Sequence, residues 1–147
     1  MTDTKPTYFP QLAAERLDIA LCRASAAVAR AGDEHATEHG LGVGEHLVLK
    51  MLAETGACAQ QTLSAELRID RSVMVNICDG LERSGYVRRE RNPRDRRSYA
   101  VTLTETGRDR LRTAETAIPG HLDRTFAALT LDERKQLTAL LTKVLGL

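Results

Sequence analysis

The change of hydrophobic period at Gly85 constrains the fold of this chain more than any other feature. Before it, QQTLSAELRID and RSVMVNICDGLERSG have the spacing of two short helices with a tight connection between them. After it, residues 86–90 and 99–103 read as strands on either side of a turn at residues 92–95. We therefore expect a mainly α fold, a winged helix-turn-helix whose wing is a small β-hairpin.

Capping residues and apolar spacing predict the other helices. Asp70 is placed to be the N-cap of the second short helix and Gly85 its C-cap. Upstream, the spacing predicts one long amphipathic helix over 10–32 and another over 43–52 that Gly56 stops. Downstream, a leucine-rich helical tail follows residue 107, and we expect Pro119 and Gly120 to kink or break it.

Length and composition exclude several classes of protein. The chain has 147 residues, which suits a single domain, and with 42% hydrophobic residues it is too apolar for disorder. It has neither a leader-like apolar run at its start nor an apolar window long enough to cross a bilayer, so we expect a cytoplasmic protein. Its three scattered cysteines predict neither a disulfide framework nor a zinc knuckle. The motifs of hydrolases, nucleotide-binding enzymes and metalloproteases are missing, so we predict no enzyme activity and no cofactor.

Positive charge is concentrated in the predicted hairpin. Seven arginines stand against Glu90 and Asp95 in residues 83–97, although the whole chain carries a net charge of only +1. A helix-turn-helix places its second helix in the major groove of DNA, and arginines on a neighbouring hairpin can reach phosphates or the minor groove. We interpret the hairpin as a DNA-contacting wing in which Asp95 holds a guanidinium in one orientation.

The segment LRIDRSVMVNICDGLERSGYVRRERNPRDRRSYAVTLTETGRDRL closely resembles the MarR family of bacterial transcription regulators, and LGVGEHLVLKMLAETG resembles it more loosely. The resemblance implies one domain over 1–147, with a winged-helix region over 41–105 and dimerisation helices over 10–32 and 108–147. It also implies a homodimer that binds double-stranded DNA at a pseudo-palindromic operator. We expect a repressor whose affinity for DNA falls when a small molecule binds, since in the family phenolic or other aromatic carboxylates commonly fill a pocket between the dimer helices and the winged helix.

The resemblance and the helix-turn-helix geometry together give a set of predicted DNA-binding residues: Arg71, Ser72, Val75, Asn76, Arg83, Arg94, Asp95 and Arg97. By resemblance, Ser72, Val75 and Asn76 face the bases, and Arg97 reads the minor groove. For Arg71 and Arg83, phosphate contacts and salt bridges to Asp70, Asp79 or Glu82 stay open as equal alternatives.

The recognition helix departs from the family pattern in its base-facing residues. It has Val73, Val75 and Asn76 where the family often has Thr, Thr and Arg. Valine offers apolar contact, for instance with a thymine methyl, and asparagine favours adenine. We expect an operator half-site rich in A and T at these positions.

Other functions rest on fewer residues. By position alone, Leu17, Leu21, His46 and Leu49 are candidates to line an effector pocket. Cys22 lies where the peroxide-sensing OhrR branch of the family keeps its reactive cysteine, but no tyrosine falls in the second helix, so we favour an inert thiol.

Two further alternatives concern partners. His35 and His39 are four residues apart and could share a metal, although an exposed polar turn between helices is the more ordinary interpretation, and we predict no metal site. The rival to DNA binding is a winged helix that contacts an acidic protein partner.

Overall fold

The structure is a computed structural model that describes residues 7–92 and 94–147, apart from the side chains of Asp95 and Arg96. Its helices are α1 (Tyr8–Glu15), α2 (Leu17–His39), α3 (Val43–Thr55), α4 (Gln60–Leu67), α5 (Arg71–Arg83), α6 (Glu105–Thr125) and α7 (Leu131–Val144). Its strands are β1 (Cys58–Ala59), β2 (Val87–Asn92) and β3 (Asp95–Leu103), which form an antiparallel sheet in the order β1-β3-β2. The expected fold class is confirmed, and the short strand β1 is added to the predicted hairpin.

The core lies where α3, α4, α5 and the sheet meet. Fully buried side chains from all of these elements fill it: Val48, Leu49, Leu52, Leu63, Met74, Cys78, Leu81, Val87 and Val101. Because α5 and both long strands contribute to one core, the helix-turn-helix and the wing are held by shared apolar packing. Leu111 and Ala114 extend this core onto α6.

The prediction of one helix over 10–32 was wrong at both ends of that range. Arg16 has an extended backbone (φ −121°, ψ 103°) and separates α1 from α2, and its guanidinium pairs with Asp18 at 2.8 Å. Gly32 does not end α2, because it is buried inside the helix, where an added Cβ would lie 3.4 Å from Val43 Cγ2. The helix ends instead at Gly40, whose left-handed φ of 72° suits a glycine.

Pro119 and Gly120 were predicted to kink or break the helical tail; the break was wrong, since α6 continues through both residues to Thr125, and the kink stays a prediction. A proline inside a helix removes one backbone hydrogen bond, but the apolar face of α6 stays packed against the core on the N-terminal side. The helix begins at Glu105, earlier than the predicted start after residue 107, and its N-cap is Thr104, whose hydroxyl accepts a hydrogen bond from the Gly107 N–H at 3.0 Å.

The two ends of α5 differ slightly from their predicted caps. Asp70 occupies the N-cap position, but its side chain makes no capping hydrogen bond. At the other end Ser84 is the C-cap and Gly85 follows it with φ 78°, while Tyr86 N–H donates to the Leu81 carbonyl at 2.9 Å. This is a Schellman motif, and it turns the chain directly from the recognition helix into β2.

Across residues 7–92 and 94–147, no helix combines the length and the apolar character that crossing a bilayer requires.

Candidate nucleic-acid interface

The helix α5 presents an unusual surface to solvent. Its inner face is buried through Met74, Cys78 and Leu81, whereas Val73 and Val75 on the outer side are 48% and 41% exposed. Ser72 and Asn76 are exposed beside these valines. Exposed β-branched apolar residues among polar ones are typical of a contact surface, and a helix of this shape fits the major groove.

A cleft of about 180 Å³ joins α5 to the wing and to the start of α4. Arg71 and Val75 of α5 line it together with Arg97 of β3, so the structure brings three of the predicted residues together. The cleft is also lined by Gln60, Gln61, Ser64, Ser98 and Tyr99. Sequence analysis did not assign Gln60, Gln61 and Tyr99 to the site, and the start of α4 beside a recognition helix was the signal that could have suggested the two glutamines.

Arg83 and Arg94 do not line this cleft. Arg83 is exposed in the last turn of α5, at the opposite end from Arg71. Arg94 is exposed in the turn of the wing, where its backbone N–H donates to the Asn92 side-chain oxygen at 3.0 Å. The Asp95 side chain and Pro93 lie outside the described residues, so the predicted brace between Asp95 and the wing arginines stays a prediction.

Two of the three carboxylates that were candidates to pair with Arg71 and Arg83 pair with another arginine instead. Arg89 on β2 contacts Asp79 Oδ1 at 2.5 Å and Glu82 Oε1 at 3.1 Å. Its hydrogen bond to Glu82 is the main cause that holds the pKa of that carboxyl below its usual value. Among the described residues, Arg71 and Arg83 make no ion pair within 4.0 Å, which leaves their guanidinium groups in place for phosphate contacts.

The four effector-pocket candidates are not brought together. Leu17 is 81% exposed and Leu21 36% exposed on α2, and Leu49 is fully buried in the core. His46 lines a small apolar cleft of about 100 Å³ between α2, α3 and α6. As positions in a single chain these residues do not define one cavity.

All four histidines of the chain line the cleft that contains His46. His35 and His39 were expected in an exposed turn between helices. They lie instead on the last turns of α2, with ring centroids 4.2 Å apart. The ring of His121 on α6 is 4.4 Å from that of His35, whose Nδ1 is buried without a hydrogen-bond partner among the described residues. Burial is the main cause that lowers the pKa of His35, and the neighbouring histidines lower this pKa further.

The described residues give no support to a metal site at His35 and His39 or to a redox role for Cys22. In the described ranges no group of three or more His, Cys, Asp or Glu side chains is arranged to hold a metal ion. Cys22 is exposed on α2, and the neighbouring Arg23 guanidinium lies over the Phe9 ring, 5.8 Å from its centroid. The inert thiol stays our prediction and the peroxide response through Cys22 its alternative, which loss of that response in Cys22→Ser would support.

A recognition helix with an exposed polar and β-branched face, flanked by an arginine-rich hairpin, defines a winged-helix DNA-binding protein. The model of the MarR family matches residues 39–98, which include α3, α4, α5 and most of the wing. The HTH-type transcriptional regulator YkoM of Bacillus subtilis (strain 168) is 34% identical over 109 residues, which cover 72% of this chain and 69% of that protein.

Solved structures agree with these sequence relatives. The transcriptional repressor CouR, bound to a 23-mer DNA duplex, is 31% identical with a TM-score of 0.80, over 89% of this chain and 93% of that one. A MarR family transcriptional regulator from Rhodococcus sp. RHA1 is 25% identical with a TM-score of 0.78, also over 89% and 93%. The chain belongs to the MarR family: it is a DNA-binding transcriptional regulator and not an enzyme.

Proposed function

We propose that this regulator is a homodimeric, ligand-responsive repressor that binds a pseudo-palindromic operator in the cytoplasm. The observation that carries the proposal is the uncovered apolar surface of the terminal helices. Large apolar side chains with more than half of their surface exposed concentrate there: Tyr8, Leu17, Leu131, Leu140, Val144, Leu145 and Leu147. Exposed apolar side chains in this number support an interface, because a monomer in water rarely leaves a large apolar surface open.

A groove between α6 and α7 supplies a receiving surface for a second copy. Its volume is about 730 Å³, and its lining is mainly apolar, through residues such as Leu122, Phe126, Leu129 and Leu137. The exposed apolar side chains of a partner's terminal helices match this groove in chemistry. A two-fold pair would use the same surfaces on both protomers.

A dimer explains how one recognition helix per chain gives operator specificity. Two winged helices related by a two-fold axis contact half-sites roughly 34 Å apart, one turn of duplex. Repression is supported by CouR, which is named as a repressor and covers most of this chain at 31% identity. The apolar cleft that His46 and the other histidines line is our candidate for a small effector, because it joins α2 and α6 to the start of α3.

The first experiment is sedimentation velocity of the purified chain, with fluorescence anisotropy against the DNA that flanks its own gene. We expect a dimer and competitor-resistant binding. Leu140→Glu places a charge in the apolar surface and should give a monomer that loses operator binding. Lys143→Gln changes the net charge by the same amount on the same helix and should stay dimeric. A monomeric parent chain, or a Leu140→Glu chain that remains a dimer, would refute the proposed interface.

The effector is tested on the same complex. Small aromatic and phenolic carboxylates are added to the bound duplex, and the anisotropy is followed to release. Release by one compound class that is lost in His46→Ala, with binding to DNA retained, supports the histidine cleft as the effector site. Release that is unchanged in His46→Ala would move the effector to another cavity.

A further inference from the structure

Arg89 differs from the other arginines of the basic segment. Its side chain is 18% exposed, whereas its neighbours Arg88 and Arg91 are exposed. We propose that Arg89 is a positioning residue for DNA recognition, which holds the wing at a fixed place on the recognition helix so that both meet the duplex in register. The inference rests on DNA contact through both α5 and the wing.

The contacts of Arg89 connect three elements. From β2, its Nη2 donates to Asp79 and to Glu82 of α5, and its Nη1 donates to Gln60 Oε1 at the start of α4 at 3.4 Å. Its backbone N–H also donates to Glu82 Oε2 at 2.9 Å. A planar guanidinium has donors in several directions, so it can satisfy all three acceptors at once. The ammonium of a lysine is a single compact charge and cannot reach all three acceptors in the same geometry.

The charges explain why this contact bears on DNA. Asp79 and Glu82 are three residues apart on α5, the helix that faces the duplex, and Arg89 lies between their carboxylates. Without the guanidinium the two carboxylates of α5 repel each other and lose the donor that they share. The same loss leaves β2 held on α5 by apolar packing and the Arg89 backbone N–H alone, so Arg97 across the hairpin is held less firmly relative to Val75 and Arg71 in their shared cleft.

Arg89 is poorly placed to contact phosphate itself, because its donors are engaged and most of its side chain is covered. Arg88 is the matched control. It immediately precedes Arg89 on the same strand, so its side chain points to the opposite face. Among the described residues, Arg88 makes no ion pair. Replacing either arginine by glutamine removes one positive charge from the same strand.

The test compares Arg89→Gln with Arg88→Gln in the full chain, by anisotropy with an operator duplex and an unrelated duplex over a series of salt concentrations. For Arg89→Gln we expect operator affinity to fall at least about tenfold, which is the size of effect that losing one well-placed base contact would have. Affinity for the unrelated duplex should stay nearly unchanged. The slope of log K against log salt should stay at the parent value, because no phosphate contact is lost. Arg88→Gln should leave the ratio of operator to unrelated affinity unchanged.

Arg89→Lys keeps the charge and guards against a glutamine variant that fails to fold. Compared with Arg89→Gln, we expect Arg89→Lys to regain most of the free energy of unfolding but less of the operator specificity, because a lysine cannot bridge both carboxylates. The inference is overturned if Arg89→Gln keeps the parent ratio of operator to unrelated affinity, or if it lowers both affinities together with the salt slope, as a simple phosphate contact would. A parent chain that binds no duplex would instead contradict the role of the wing itself.

Discussion

At the scale of single residues, Gly107 is the position where the backbone allows no other side chain. An added Cβ would overlap the carbonyl oxygen of Tyr86, at the point where α6 begins beside the start of the wing. The neighbouring atom belongs to the backbone and accepts a hydrogen bond from Thr104 N–H, so it has little freedom to move. The glycine thus lets the first turn of α6 lie directly against the loop that leaves the recognition helix.

We predict that Gly107→Ala lowers the free energy of unfolding by about 1–3 kcal/mol, the usual cost of overpacking. Urea unfolding followed by circular dichroism measures it. Gly80→Ala is the control, because a Cβ there meets only Glu45 Oε1 at 4.0 Å inside α5. Alanine has the higher helix propensity, so Gly80→Ala should be neutral or stabilising by up to about 1 kcal/mol. Equal destabilisation by both variants would contradict this account.

Asn76 is the predicted base-facing residue that most directly determines the expected operator sequence. Its side chain is exposed on the outer face of α5, near Val73 and Val75. Asparagine pairs with adenine and arginine with guanine, each with about 1–3 kcal/mol of discrimination. Selection from a random duplex library should return A- and T-rich half-sites for the parent chain and a shift to guanine at one position for Asn76→Arg. Guanine-rich sites selected by the parent chain would count against a base contact by Asn76.

Arg89 shows what residue-level sequence reasoning could reach. The sequence predicts a cluster of seven arginines but treats them alike. Alternation along β2 separates them, because Val87 is buried and the residue two positions later shares its face. That argument predicts an inward Arg89, but the identity of its partners depends on how α5 crosses the strand, which the sequence does not specify.

At the scale of secondary-structure elements, the helix-turn-helix and hairpin were predictable and the ends of the long helices were not. The short helices carry strong local signals, namely the apolar spacing of Leu63 and Leu67 and the stop at Gly85. In α2 and α6 tertiary packing overrides local signals. Gly32 stays helical because Val43 packs against it, and Pro119 is tolerated inside α6.

The contact between the end of α2 and α6 gives a prediction for pH. Arg110 of α6 donates to the carbonyl of His39, and the rings of His35 and His121 lie together beside it. Other charged groups near His35 are Glu34 and Glu38 on α2 and Arg124 on α6. A proton on His35 would therefore be repelled by Arg124 and the neighbouring histidines and attracted by Glu38, and repulsion together with burial outweighs the attraction.

Since the pKa of His35 is lowered from 6.5, mainly by burial, the unfolded chain binds its proton more readily than the folded one. The free energy of unfolding should therefore rise with pH up to about 6.5 and be unaffected by this group above it. Urea unfolding at pH 7.5 and 5.5 should show a smaller pH effect in His35→Gln than in the parent chain. Carboxylates contribute to both proteins and cancel in the difference, so an equal pH effect would exclude His35 as its source.

At the scale of the whole molecule, the basic wing sets how binding responds to salt. Arg71, Arg83, Arg88 and Arg94 are exposed and, among the described residues, unpaired, whereas Arg89 is engaged. We predict that operator affinity falls steeply with salt and that Arg94→Gln lowers the slope of log K by roughly one unit if it contacts a phosphate. Anisotropy titrations between low and near-physiological salt measure both slopes. A parent slope near zero would contradict binding through the phosphate backbone.

The sequence alone predicts the family and the winged helix, but the molecule's assembly depends on surfaces rather than motifs. Apolar residues in α1, α2 and α7 have the spacing of ordinary helices, and only their exposure in the structure distinguishes an interface from a core. The effector residues were the least predictable, because Leu49 and Leu17 look alike in sequence yet lie in the core and in solvent respectively.

The uncovered terminal helices also bear on gene expression. If the regulator binds its operator only as a dimer and is mostly monomeric at low abundance, the fraction of occupied operators grows with the square of the number of chains in the cell. A twofold change in synthesis would then alter occupancy about fourfold, so the strength of the regulator's own promoter becomes part of its switching behaviour. The exposed leucines of α7 would in this way set a threshold of protein abundance below which the target genes escape control.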